Sequence, residues 1–139
     1  MQILKIRTEK RITGNIGEDA ACKYLRKNKY KILKRNYVSD GHEIDIIAEN
    51  REFICFVEVK TRTLGHEDER ESRPAASVNK EKQLAIISAA RGFAANLNGN
   101  KQLRFDIAEV FLNEKKELER ISYLEGAFTL DTSRKKYCK

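Results

Sequence analysis

Cysteine is scarce and scattered, with Cys22, Cys55 and Cys138 far apart in the chain. None belongs to a Cys-x-x-Cys pair or stands near a histidine at zinc-ligand spacing, so neither a zinc site nor a disulfide framework is expected. Three free thiols suit a cytoplasmic chain, and that is the expected compartment. No apolar run approaches membrane-spanning length, which excludes a transmembrane helix. The opening MQILKIRTEKRITGN is charged within five residues and has no apolar core ahead of a small-residue cleavage site, so a secretory leader is not expected. There is one proline, no repeat and no low-complexity segment. An aromatic-rich basic strand of the kind that stacks single-stranded bases is also missing, which makes single strands the less natural partner.

What the chain has in quantity is charge. Its 28 Lys+Arg against 21 Asp+Glu leave +7, which favours a polyanionic partner. A net charge of this size sits at the top of the normal range for small domains, so its distribution matters more than its sum. EDERE at 67–71 is a local acidic block, which leaves the rest of the chain more basic than the total. SRKKYCK at the C-terminus is a basic tail that either meets phosphates or is simply solvated. At 139 residues the length suits one domain, expected over 1–132 with the tail at 133–139, able to bury a core without disulfides or a structural metal.

The hydrophobic periods predict a helix over 15–29 (NIGEDAACKYLRKNK), with Gly17, Ala20, Ala21, Tyr24 and Leu25 on its apolar side. YKILKRNYV (30–38), EIDIIAE (43–49) and REFICFVEVKTR (51–62) read as three strands with short connections. TLGHEDERESRPAAS (63–77) has no period and reads as a mobile loop. A second helix is expected over 80–97, apolar through Leu84, Ile87, Ala90, Phe93, Ala94 and Leu97. Strands follow at 103–112 and 117–125. The fold class is therefore α/β, an α-β-β-β-α-β core with one further strand around a single mixed sheet flanked by helices.

One strand poses a question. ICFVEVKTR (54–62) is apolar on both faces through Val57 and then carries Glu58 and Lys60. With Asn50-Arg51 as a two-residue turn, Ile44 faces Val57, Ile46 faces Cys55 and Ala48 faces Phe53, a wholly apolar face. The other face pairs Ile47 with Ile54, Asp45 with Phe56, and Glu43 with Glu58. Diagonal neighbours on an antiparallel pair lie roughly 7–8 Å apart, so Asp45 and Glu58 converge, with Lys60 on the same side. A three-residue loop would instead put Asp45 on the opposite face, and the clean apolar face argues against that slip. Converging acids at the end of an apolar face repel each other unless a cation lies between them. A hard divalent ion accepts two carboxylates, a carbonyl and waters, leaving Lys60 to hold a water or stabilise a phosphate.

Each of these residues also has a plainer role. Glu58 and Lys60 form an ordinary ion pair at a solvated strand end in the bland case, since Glu-x-Lys occurs by chance in so charged a chain. Glu18 leans toward the core, but Asn15-x-x-Glu18 also fits a capping box, and the two roles are compatible. His42 suits a local turn bond and His66 the loop. Arg104 and Asp106 suit a structural pair tying a late strand to the core.

An acid in the first helix, an aspartate on the second strand and Glu-x-Lys ending the third, in α-β-β-β-α-β order, resembles the PD-(D/E)xK nuclease fold of many restriction enzymes and archaeal Holliday-junction resolvases. More closely, the chain resembles the YraN-like family of small bacterial proteins. The resemblance runs through Gly17-Glu18 with Ala21 and Leu25, Arg35-Asn36, Glu43-Ile44-Asp45-Ile46-Ile47-Ala48, Phe56-Val57-Glu58-Val59-Lys60-Thr61-Arg62, Val78-Asn79 with Lys82, and Arg104-Phe105-Asp106. Together these cover about residues 14–110. The resemblance implies a restriction-endonuclease-like core in which Asp45, Glu58 and the Val59 carbonyl bind Mg²⁺ or Mn²⁺. It implies that Lys60 positions the attacking water and that Glu18 assists as an outer ligand. Glu43 matches a family position outside the fold's standard ligands. Ile44 stands where the PD pair has proline, which removes no ligand.

The leading expectation is a metal-dependent DNA endonuclease acting on double-stranded, branched or junction DNA. Arg35, Arg62, Lys80, Lys82 and the tail would contact phosphates and fix register without reading sequence. By analogy with resolvases, a homodimer is expected. The alternative is a non-catalytic nucleic-acid-binding or scaffold protein on the same fold. A non-enzyme has no need of mutually repelling carboxylates beside a lysine, which favours the enzyme.

Overall fold

The first helix runs well beyond its expected span. In the computed structural model, which describes residues 2–65, 78–97 and 99–129, α1 (Gln2–Lys27) extends over 26 residues. Thr8 to Ile12 are exposed, so good helix formers and the absence of proline carry this stretch rather than packing. Asn15 therefore lies mid-helix, and the capping box expected for Glu18 does not form. The packed part begins at Gly17, where a Cβ would run into Thr61 Oγ1 and stand 2.9 Å from the Thr61 Cβ. Glycine is thus what lets α1 approach the sheet.

The strands follow the sequence expectation closely: β1 (Lys31–Ser39), β2 (His42–Glu49), β3 (Phe53–Thr63), β4 (Gln102–Leu112) and β5 (Leu118–Phe128), with α2 (Lys80–Ala94) between β3 and β4. They form one mixed sheet in the order β1-β2-β3-β4-β5. β3 and β4 are parallel, and α2 lies in the crossover that such a pair requires. The remaining neighbours are antiparallel. β1 turns into β2 through Asp40-Gly41, both at positive φ (52° and 77°), the two-residue turn whose twist matches the strands. Most of the 63–77 loop, with EDERE and His66, and the C-terminal tail lie outside the described residues.

Ala21, Cys22 and Leu25 of α1 pack over Ile46, Ala48, Cys55 and Val57 on one face of the sheet. Ile86, Ile87, Ala89 and Ala90 of α2 pack over Ile47, Ile54, Phe56 and Phe105 on the other. Leu84 and Leu97, expected on the apolar side of α2, are 40% and 38% exposed.

Two details of register differ from expectation. Ile46 lies opposite Val57 and Ala48 opposite Cys55, a two-residue shift. The cause is the turn: Asn50 Oδ1 accepts the amides of Glu52 (2.9 Å) and Phe53 (2.8 Å), and the Asn50 amide donates to the Phe53 carbonyl, so the chain reverses over Arg51 and Glu52. A shift of two preserves parity along the paired residues, and past them Asp45 and Glu58 line a common cleft. Ile44 does not share the face of Ile46; it packs in the α2 core. The ladder between β1 and β2 skips Asn36 and Asp45, and Asn36 has φ 51°. The β1–β2 register itself shifts earlier, between Ile32 and Lys34.

Beyond Ile107, β4 carries Glu109, Phe111 and Leu112 in a fully buried run. Asp106, with no exposed surface, is the hub of a polar network. It accepts Arg104 Nε and NH2 (2.9 Å each), Tyr123 OH (2.6 Å) and the Gly126 amide (2.9 Å). Gly126, at φ 60°, sits in a bulge of β5, so Asp106 satisfies an amide that the ladder has dropped. Arg104 also donates to Tyr30 OH (2.6 Å) and lies over Phe53 (4.8 Å to its centroid). Arg104 and Asp106 are therefore a structural pair, as their spacing suggested. Cys22 and Cys55 are free and buried. Burial and Asp106 push the Cys55 thiol up to about 12, which makes it an unreactive core residue.

Candidate functional site

Where β2 and β3 part, past the last paired residues Ile46 and Val57, Asp45 and Glu58 line a common cleft of about 270 Å³. Gly41, His42, Glu43, Lys82, Ala85 and Ile86 complete its walls. Asp45 is held by a bond from the Val59 amide to Oδ2 at 2.8 Å. This contact spans the two strands and fixes the carboxylate beside Glu58. Burial is the main cause of a raised Asp45 pKa, pushed up to about 7, and the Glu58 charge adds to it while the Val59 bond opposes it. Glu18 and Glu43 add smaller repulsions.

Glu58 is 7% exposed, and its charge is met by two lysines. Lys82 Nζ is 2.6 Å and Lys60 Nζ 3.6 Å from the same oxygen, Oε1. Lys82 comes from the first turn of α2. Asn79 caps that turn, its side chain accepting the Lys82 amide at 2.8 Å. Although burial works against the Lys82 ammonium, its bond to Glu58 raises its pKa overall.

Glu18 approaches from α1. The Asn36 amide orientation that satisfies both neighbours puts Nδ2 2.8 Å from Glu18 Oε1 and 2.7 Å from Glu43 Oε1. Asn36 thus ties the helix acid to the strand acid. Burial, opposed by Arg35, raises the Glu18 pKa, with Glu43 reinforcing the rise. Arg35 itself pairs with Asp19 at 2.8 Å on the surface. Arg62 pairs with Glu109 at 2.8 Å, its side chain 13% exposed, so it sits inside the protein rather than on an open phosphate-facing surface. Lys80 is exposed at the start of α2.

The structure therefore brings together Asp45, Glu58, Val59, Lys60 and Lys82, with Glu18 reached through Asn36. It leaves Arg35 and Lys80 outside the cleft. Sequence reasoning missed Glu109, 4% exposed and level with Lys60 on the neighbouring strand. Its signal was an acid in the otherwise apolar run IAEVFL, the same kind of signal that flagged Glu58. The cap at Asn79 was equally legible, as an asparagine just ahead of a helical period.

Among the described residues no three of His, Cys, Asp and Glu form a group able to hold a metal ion. Two carboxylates and a backbone carbonyl are nevertheless the partial donor set that Mg²⁺ takes when waters and substrate phosphates complete its shell. The raised Asp45 pKa beside Glu58 marks a place where added positive charge is favourable. The residues present fit such an ion.

A mixed five-stranded sheet between two helices, with an acid-lined cleft where β2 and β3 part, defines an α/β protein of the expected α-β-β-β-α-β core. The chain belongs to the uncharacterised protein family UPF0102, whose profile matches residues 17–110, the YraN-like family that the motifs resemble. A UPF0102 protein of Caldanaerobacter subterraneus subsp. tengcongensis is 40% identical over 124 residues, covering 88% of this chain and 98% of the relative. One from Clostridium acetobutylicum is 38% identical over 118 residues, covering 84% and 93%. One from Chlorobaculum parvum is 43% identical over 123 residues, covering 83% and 90%. No described helix is long and apolar enough to cross a membrane.

Proposed function

We propose that this protein is a metal-dependent phosphodiesterase acting on DNA, with double-stranded, branched or junction DNA as its substrate. The observation that carries this reading is the meeting of Asp45 and Glu58 in one cleft, with Lys60 and Lys82 at hand, inside a chain of net charge +7. Asp45, Glu58 and the Val59 carbonyl would hold Mg²⁺ or Mn²⁺, which supplies Lewis-acid stabilisation of charge on the phosphate. Lys60 holds the attacking water and stabilises the negative charge that develops on the phosphoryl oxygens. Val59, through its amide, keeps Asp45 ionisable and in place. Glu18 and Glu43, joined by Asn36, form the outer acidic wall. Lys80, Lys82 and Arg35 meet the phosphate backbone, and a homodimer would present one site to each strand of a duplex. The same sites serve a cytoplasmic DNA-processing role.

The test is a labelled panel of four-way junction, flap, linear duplex and single strand with Mg²⁺, Mn²⁺ or EDTA. Cutting that needs the metal and is lost in both Asp45→Asn and Lys60→Ala is expected, with duplex or junction preferred over single strand. No cutting, but metal-independent and salt-sensitive binding, would favour the second reading, a DNA-binding or scaffold module. What speaks for that second reading is that Lys82 already neutralises Glu58.

A further inference from the structure

Two ammonium groups converge on a single carboxylate oxygen. Lys82 Nζ lies 2.6 Å from Glu58 Oε1, and Lys60 Nζ lies 3.6 Å away. With Asp45 beside Glu58, two ammonium groups face two carboxylates, and the nearer one holds the oxygen that a metal ion would need. The two lysines differ in their mounting. Lys60 is fixed along β3, and its side chain is 27% exposed. Lys82 has its backbone held in the first turn of α2, where Asn79 accepts its amide at 2.8 Å, and its side chain is tied by the bond to Glu58. Its side chain, 42% exposed, reaches from the helix start to line the cleft. A long flexible stem ending in a compact ammonium can leave a carboxylate for solvent or for a phosphate at small structural cost.

We infer that Lys82 is an internal cation that competes with the divalent ion for Glu58, so that ion uptake by the free protein is weak and becomes easier once a DNA phosphate draws the ammonium away. This rests on the metal-site reading above and adds a control to it. The competition is electrostatic: the carboxylate that the ion needs is already paired, and the pair must separate before the ion gains it. Lys60 does not play this part, because it stands farther from the oxygen and is held by the strand.

The experiment measures Mn²⁺ affinity by titration calorimetry and by the loss of the free-ion electron paramagnetic resonance signal, so it does not depend on turnover. Lys82→Met is expected to bind Mn²⁺ about tenfold more tightly than wild type, which is ~1.4 kcal/mol. Lys82→Arg, which keeps the charge, stays near wild type, and Asp45→Asn loses binding. In EDTA Lys82→Met melts below wild type because Glu58 has lost its nearest partner, and Mn²⁺ restores the loss. Lys82→Gln carries the same comparison if the methionine variant folds poorly. A short DNA duplex, after subtraction of its own Mn²⁺ uptake, improves the wild-type affinity and leaves Lys82→Met unchanged. Equal, Asp45-dependent affinities in wild type and Lys82→Met would overturn the inference and leave the metal site standing. Absence of Asp45-dependent Mn²⁺ uptake in every variant at millimolar ion would overturn both.

Discussion

At Asp45 burial and the Glu58 charge push the carboxyl pKa up to about 7, and the Val59 amide pulls against them. The folded protein therefore holds this proton more tightly than the unfolded chain does. That contribution to stability is complete below the ordinary value of 3.8 and is lost as the pH climbs to about 7. Above that, the fold carries two neighbouring carboxylates, with Lys82 and Lys60 drawn to Glu58. Asp45→Asn keeps an oxygen for the Val59 amide and removes the charge. In EDTA at pH 8 it is expected to melt a few degrees above wild type, with the gap closing toward pH 4, as thermal melts across pH would show. A variant that melted lower than wild type at pH 8 would mean that the charge itself is needed to hold the cleft. The motive for singling out this residue was legible in the sequence, because an acid in an apolar alternation is costly wherever it points. The ion pairs of the neighbouring side chains were less so. Lys82 lies 24 residues from Glu58, and Glu109 lies 47 from Arg62, so only the folded arrangement joins them.

Between elements, α1 comes close to β3 at Gly17. A Cβ there meets the Thr61 side chain, on the strand that also bears Glu58 and Lys60. Gly17→Ala is expected to cost about 1–3 kcal/mol by overpacking, read from urea unfolding. Thr61→Ala in the same chain should recover part of the loss, since it removes the Oγ1 that the new methyl would meet; additive losses would refute the contact as the cause. The effect extends to function, because α1 also delivers Glu18 to Asn36. Strand identities and the two-helix order were readable from period and turn residues. The hairpin register was not, since Asn50 can serve as a turn residue or as the side chain that caps the turn. Hydrogen bonds to Glu52 and Phe53 chose the second. Nor does the hydrophobic pattern announce that Ile44 packs with the α2 core rather than with Ile46, or that Asn36 takes a left-handed backbone.

For the molecule as a whole, the excess of positive charge bears on how it meets a polyanion. Binding of a short duplex is expected to weaken steeply as salt rises, with log affinity linear in log salt, because neutralised phosphates release counterions. Fluorescence anisotropy at several salt concentrations measures the slope, and sedimentation of the same samples reports whether two copies bind. A salt-independent affinity would remove the electrostatic part of the proposal. Lys80→Ala should lower the slope, whereas Arg62→Ala should act mainly on stability, its guanidinium being committed to Glu109.

The sequence by itself determined the number and order of the elements, and the strand that carries Glu58 and Lys60. Hydrophobic period and turn chemistry are local properties, read within a window of a few residues. The clean apolar face also pointed to Asp45 and Glu58 on one side of the β2–β3 hairpin, and the two do line one cleft. Only the tertiary structure decided which cation meets Glu58, that Arg62 is spent on Glu109, that Asp106 fills the bulge at Gly126, and that Asn36 links two acids. Each of these joins elements far apart in the chain, and the energy of such a contact depends on distance and burial, which exist only once the sheet and its helices have packed.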